Sequence, residues 1–203
     1  MPPRSVRLAI SLGALGFLAI LLFHPPAFVF KQNHISALNI QSIQETSPAT
    51  HSVSSGLPVR LLIPRISVDA FVESVGTTKS GSMDVPVNAR DAAWFNLGTR
   101  PGEVGSAVID GHYGFDHGKP SVFDDLHKLR IGDLIYVKND GGASVSFTIS
   151  DIRRYNPSAD ASQIFNSSDG KAHLNLITCE GSWDVATGAY AERLVLFADK
   201  VSE

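Results

Sequence analysis

The chain has 203 residues, 43% hydrophobic and 18% charged, with a formal net charge of −3 and one cysteine. That length suits one domain plus an appendage, because single cores commonly take about 100–200 residues. The mild charge excludes a nucleic-acid binder held by phosphate neutralisation, and a lone Cys179 excludes an intramolecular disulfide or a cysteine-rich zinc site.

Residues 8–23 (LAISLGALGFLAILLF) carry no charge, and they lie between Arg4 and Arg7 on one side and Pro25-Pro26 on the other. A membrane-spanning helix needs about 20 residues, so the segment from Val6 to His24, with Arg7 snorkelling to the interface, is a little short but sufficient. The proline pair ends the helix. Two arginines before the run, against Lys31 after it, place the N-terminus in the cytoplasm and export the rest. A cleaved signal peptide is the alternative. Its apolar core is usually about 7–15 residues and ends at a small-residue site. Here the nearest such site, Ile35-Ser36-Ala37, is poor and distant, so residues 1–30 read as an uncleaved signal anchor.

Residues 31–58 hold 13 Ser, Thr, Asn or Gln among 28 and show no sustained apolar period. Such a segment cannot bury enough surface to offset its ordering entropy, so it reads as a flexible stalk. Residues 59–203 are the remaining domain. They carry five more acidic than basic residues, whereas the first 58 carry two more basic than acidic. The domain is long enough to build a core without metal or disulfide staples.

Period-two patterns dominate this domain. Val59, Leu61 and Ile63 alternate with Arg60 and Leu62 before Pro64. Leu134 to Val137 runs into Asp140-Gly141-Gly142, and Val145, Phe147 and Ile149 follow at alternate positions, which is a hairpin signal. Ser106 to Ile109, Ala172 to Thr178 and Arg193 to Ala198 read as further strands. Helical signals are short: a capping-box pattern at Ser121–Asp124 before Leu126 and Leu129, and one or two turns from Asp160 to Phe165 with Asp160 as cap. Many short strands with few helices predict a mainly β domain, an antiparallel barrel or sandwich.

Cys179 closes the apolar run His173–Cys179 and is followed by Glu180-Gly181-Ser182. A cysteine at a strand terminus beside a glycine-containing loop is reachable, yet free cysteine is also among the most buried residue types. On position alone, a packed cysteine and a nucleophile both remain open. His112 also stands at a strand exit, after Ser106-Ala-Val-Ile-Asp-Gly111; His117, His127 and His173 are the other histidines of the domain. A thiol–imidazole pair makes chemical sense, because the thiolate is the nucleophile and the imidazole can accept its proton and later protonate a leaving amine. Arg193 opens the last strand; a guanidinium stays charged and can donate to an oxyanion or clamp substrate carbonyls. Its other reading is a strand-edge salt bridge with Glu192.

At these residues the sequence resembles the sortases, the membrane-anchored cysteine transpeptidases of bacterial surfaces. The likeness rests on Gly111-His112-Tyr113, Leu176-Ile-Thr-Cys179 and Arg193-Leu-Val-Leu-Phe197 in that order, supported by residues 61–66 (LLIPRI) and 102–108 (GEVGSAV). The pattern is most similar to class F-like members. The resemblance implies a closed eight-stranded β-barrel with Cys179, His112 and Arg193 converging at one end of a groove. It implies that Cys179 attacks an LPxTG-like sorting signal and that His112 protonates the leaving amine. An amine acceptor, such as a cell-wall precursor or another protein, then resolves the thioacyl enzyme. Arg193 and the backbone N–H of Glu180 would steady the oxyanion, and Thr178 would contact the substrate or oxyanion. The segment from Ile152 to Lys171 corresponds to the family's substrate-recognition loop. No cofactor is implied. The location implied is the cell membrane, with the catalytic domain outside.

Asp110, directly before Gly111-His112, is unexpected in that pattern. Period two puts it on the same side as His112, where a carboxylate would favour the imidazolium. Three alternatives stand beside the transpeptidase. The first is a cysteine endopeptidase without transfer; papain-like chains order Cys before His, opposite to this chain, and the Ser-His-Gly-Cys motif of L,D-transpeptidases is missing. The second is a metal site from Asp110, His112, Asp116 and His117, whose spacing fits no regular element. The third is a non-catalytic stalked β-domain that binds a surface partner.

Overall fold

The computed structural model describes residues 56–202; the apolar run with its expected anchor helix, and the stalk up to residue 55, lie outside them. Among the described residues no helix is long and apolar enough to cross a membrane. The described residues form ten strands: β1 Pro58–Ile63, β2 Val68–Val75, β3 Ala92–Phe95, β4 Gly105–Gly111, β5 Phe115–Asp116, β6 Lys119–Pro120, β7 Leu134–Asn139, β8 Ser144–Tyr155, β9 Ala172–Asp184 and β10 Ala189–Lys200. Eight of them close a barrel in the order β1-β2-β3-β4-β9-β10-β8-β7, while β5 and β6 form a separate two-stranded ribbon.

The alternation expected from sequence explains the barrel's interior. Leu61, Ile63, Ile109, Leu174, Leu176, Leu194 and Leu196 are fully or almost fully buried, one from every second position of their strands. Val59 departs from the pattern and is 40% exposed. A register shift between Pro58 and Arg60 inserts one residue there, which reverses the parity and turns Pro58 inward instead.

The expectation of a purely antiparallel sheet needs correcting. β2 pairs with β3, and β4 with β9, in parallel. A parallel pair cannot be closed by a tight turn and needs a long crossover. Residues 76–91 form the first crossover, and everything between β4 and β9 forms the second.

The capping box at Ser121 is not formed. A single 3-10 turn at Leu126–Lys128 has no side-chain cap, and the Asp124 carboxylate accepts instead from the Gly114 N–H at 3.1 Å. Phe123, Leu126 and Leu129 nevertheless pack into the barrel core. The second helical signal is realised as α1, Ser162–Phe165, with Asp160 accepting from the Ser162 N–H at 2.9 Å. This turn lies on the outside of the barrel, where Ile164 joins Val108 and Val195 in a separate apolar cluster with Phe95, Phe165 and Ile177. Asn175 of β9 ties it down by donating from Nδ2 to the Ile164 carbonyl at 2.6 Å.

Candidate active site

Strand register decides which side chains meet. In the β9–β10 ladder Cys179 is paired with Arg193, so their side chains stand side by side on one face. In the parallel β4–β9 ladder Asp110 is level with Ile177. The register continues one residue beyond that pair, because the Thr178 hydroxyl donates to the Gly111 carbonyl at 2.7 Å. His112 follows β4 directly, as Cys179 follows Thr178. Gly111 and Thr178 are buried toward the core, so Asp110, His112, Cys179 and Arg193 share the outer face.

Local sequence makes this arrangement possible. A Cβ on Gly111 would come within 2.4 Å of the Phe123 ring and 2.7 Å of Val122, so only glycine lets β4 exit over that plug. The His112 ring is half-buried, and its Nε2–H donates to the Pro86 carbonyl at 2.8 Å. Beyond the histidine, Tyr113 packs edge-on against Tyr190 at 5.2 Å between ring centroids, and Tyr190 packs the same way against Trp183 at 5.0 Å. This aromatic stack joins the outgoing end of β4 to the β9–β10 hairpin.

The electrostatics pull the Cys179 thiol in both directions. Cys179 is a free, half-buried cysteine. Burial pushes its thiol upward, the Arg193 charge pulls it back down, and the Asp110 carboxylate pushes it up again, leaving a net rise. Burial also raises the Asp110 carboxyl to about 6, against the pull of His112 and Arg193. The Arg193 guanidinium is oriented by its own strand, donating from Nη1 to the Glu192 carbonyl at 3.1 Å. The strand-edge salt bridge to Glu192 is therefore not its arrangement.

A cavity of about 440 Å³ begins at Asp110 and Arg193 and runs along the outer face of β4, β9 and β10. Its apolar walls come from Phe95, Ile164, Phe165, Ile177 and Val195, with Met83 from the first crossover. Tyr155 to Phe165 line its far side. The expected recognition loop is shorter than 152–171, because β8 extends to Tyr155 and only residues 156–171 connect it to β9.

Two of the expected site residues are placed differently from the central three. Thr178 is buried and its hydroxyl is committed to the Gly111 carbonyl rather than facing the groove. Glu180 follows Cys179 directly, but its carboxylate is engaged by the Arg154 guanidinium, through Nε at 2.5 Å and Nη2 at 3.0 Å. Among the described residues no three His, Cys, Asp or Glu side chains converge as a metal would need. Asp116 and His117 pair with each other at 2.8 Å in the exposed β5–β6 ribbon. The first crossover, with Pro86 and Met83, was not signalled by the sequence: it has neither apolar period nor motif.

Residues 61–201 match the family model for the sortase domain. The chain belongs to the sortase family. Sortases are cysteine transpeptidases, so the chain is an enzyme and not a non-catalytic binding module. The fold is shared with sortase C-1 of Actinomyces oris, at 24% identity and a TM-score of 0.57 over 72% of this chain and 76% of that one. Sortase C1 of Streptococcus suis gives 20% identity and 0.56 over 73% and 75%. A lid mutant of sortase A from Corynebacterium diphtheriae gives 21% and 0.57 over 72% and 71%. No curated protein matches the sequence.

Proposed function

We propose that this sortase cleaves an LPxTG-like sorting signal and transfers the acyl portion to an amine on the cell surface, with Cys179 as nucleophile, His112 as general acid and base, and Arg193 as oxyanion donor. The observation that supports this reading is the β9–β10 register that pairs Cys179 with Arg193, beside an apolar groove that begins at Arg193 and at Asp110, two residues before His112.

The chemistry follows from those positions. The Cys179 proton passes to His112, and the sulfur attacks the scissile carbonyl of a peptide lying in the groove. The resulting oxyanion is stabilised by Arg193, with the Glu180 N–H as a second donor. When the tetrahedral species collapses, the C–N bond breaks and His112 returns the proton to the leaving amine. The acceptor amine then attacks the thioester, gives its proton to His112 and releases the Cys179 sulfur. Water in place of the amine yields a cysteine endopeptidase. The Leu8–Phe23 run supports an anchor in the cell membrane with the catalytic domain outside, and the sequence pattern supports a class F-like subclass.

Incubation of the purified chain with LPxTG peptides and a panel of amines tests the reading. Ligated product that disappears in Cys179→Ala, His112→Ala and Arg193→Ala is expected. Cleavage without ligation across the panel would favour the endopeptidase instead, and neither product would reject both.

A further inference from the structure

The imidazole of His112 is held from outside the barrel by a segment that has no part in the chemistry above. Its Nε2–H donates to the carbonyl of Pro86, a buried residue of the 76–91 crossover whose neighbours Val85 and Val87 are 47% and 94% exposed. Proline has a fixed φ and no N–H, so this stretch cannot be tied to the sheet through residue 86 itself. It is tied one residue later. The Glu73 carboxylate of β2 accepts the Val87 N–H at 3.1 Å on each oxygen and the Asn88 N–H at 3.2 Å. The same crossover lends Met83 to the groove, so it straps the groove wall and the histidine together.

We propose that Glu73 is a positioning residue for His112: by pinning Val87 and Asn88 it fixes the Pro86 carbonyl, which takes the Nε2 proton and leaves Nδ1 to exchange protons with the Cys179 thiol and the leaving amine. A carbonyl only accepts, so the neutral ring that keeps this bond carries its proton on Nε2 and offers a lone pair on Nδ1. Were the strap to move, the ring would lose its orientation and populate both tautomers, and the wrong tautomer cannot act as base toward the thiol. The other groups on this face are Asp110 of the same strand, Cys179 of β9 and Arg193 of β10; Glu73 acts on the ring through the strap's backbone. The inference rests on the transpeptidase reading for the role of His112.

The test compares the full chain with Glu73→Ala and Glu73→Gln in detergent micelles, by transfer kinetics, melting temperature and ring ¹⁵N shifts of His112 assigned against His112→Gln. In Glu73→Ala, kcat falls about tenfold or more while KM changes less than about twofold, because a misplaced group costs turnover rather than binding. The neutral His112 ring shifts from the Nε2–H form to a mixture. Glu73→Gln, which keeps a carbonyl acceptor, retains most of the activity and the tautomer. An unchanged kcat with an unchanged tautomer in Glu73→Ala overturns the proposal. So does a wild-type neutral ring protonated on Nδ1, a result that needs no variant to fold. A wild-type enzyme that shows the Nε2–H ring but performs no transfer would reject the function and leave the strap standing.

Discussion

Arg193 is the cross-strand neighbour of Cys179, and its charge offsets part of the rise that burial imposes on the thiol. Removing that charge in Arg193→Ala therefore raises the thiol further, seen as an upward shift in the midpoint of the pH dependence of alkylation. Turnover falls by about 100-fold, the usual cost of losing an oxyanion donor. Arg193→Lys separates the two roles: the ammonium restores most of the alkylation midpoint but lacks the planar fork, so transfer stays low. An alkylation profile unmoved by Arg193→Ala would show that the guanidinium does not act on the sulfur.

Asp110 works in the opposite direction. Its carboxyl is raised to about 6, first by burial, so it is ionised above that pH and its charge then pushes the Cys179 thiol up. Asp110→Asn should lower the alkylation midpoint. The same shift affects stability. The folded value lies above the ordinary 3.8, so the carboxyl's contribution is fully present below about pH 4 and is lost as pH rises through 6. Asp110→Asn is therefore more stable than wild type at pH 7.5, by at most roughly 2–3 kcal/mol for about two pKa units, and close to wild type near pH 4. Thermal unfolding at the two pH values checks this, and equal differences at both would contradict the sign.

A second titrating group lies at the start of β9, the strand that also carries Cys179. His173 bridges two carboxylates, with Nδ1 2.8 Å from Asp199 and Nε2 3.0 Å from Asp169. Burial lowers its pKa, but Asp169 and Asp199 together raise it above the usual histidine value. A raised histidine contributes stability below its unfolded pKa of 6.5 and loses it as pH rises through the folded value. Asp169 closes the 156–171 connection onto β9 and is held well below the ordinary carboxylate range by His173. His173→Gln should lower the melting temperature by a few degrees at pH 5.5 and by less at pH 8.5. A pH-independent difference would mean that the bridge carries no charge.

The parts of this fold legible in the sequence are those with a clear apolar pattern. β1 and β8 alternate, and Leu61 and Phe147 go where that alternation sends them, while β4, β9 and β10 show apolar runs because their centres are buried on both faces, as at Val108 and Ile109 or Val195 and Leu196. β2 was hidden because Asp69, Glu73 and Ser74 interrupt it and Phe71 is 62% exposed. β3 spans four residues, too few for a period to show. The two parallel pairings are long-range facts that no local pattern records. For the site, His112 announces itself just past a strand end beside glycine, whereas Cys179 and Arg193, expected at strand ends, lie inside β9 and β10, which respectively continue to Asp184 and begin at Ala189. Glu73 and Pro86 could not announce themselves, since each makes its contact through the backbone of a loop without periodicity, Glu73 at Val87 and Asn88 and Pro86 at His112.

Thr178 shows how a residue next to the nucleophile can matter without meeting the substrate. Its hydroxyl is buried and donates to the Gly111 carbonyl at 2.7 Å, fastening β9 to β4 one residue before each of Cys179 and His112. Thr178→Val keeps the shape and deletes the donor, so the buried carbonyl loses its partner at a cost of about 1–3 kcal/mol. Because the break lies between the strands that carry thiol and imidazole, the variant should lose melting temperature and kcat together while KM stays near wild type. Thr178→Ser restores the hydroxyl and most of both quantities. A Thr178→Val enzyme of unchanged stability with a raised KM would instead place the hydroxyl on the substrate, as the sequence pattern first implied.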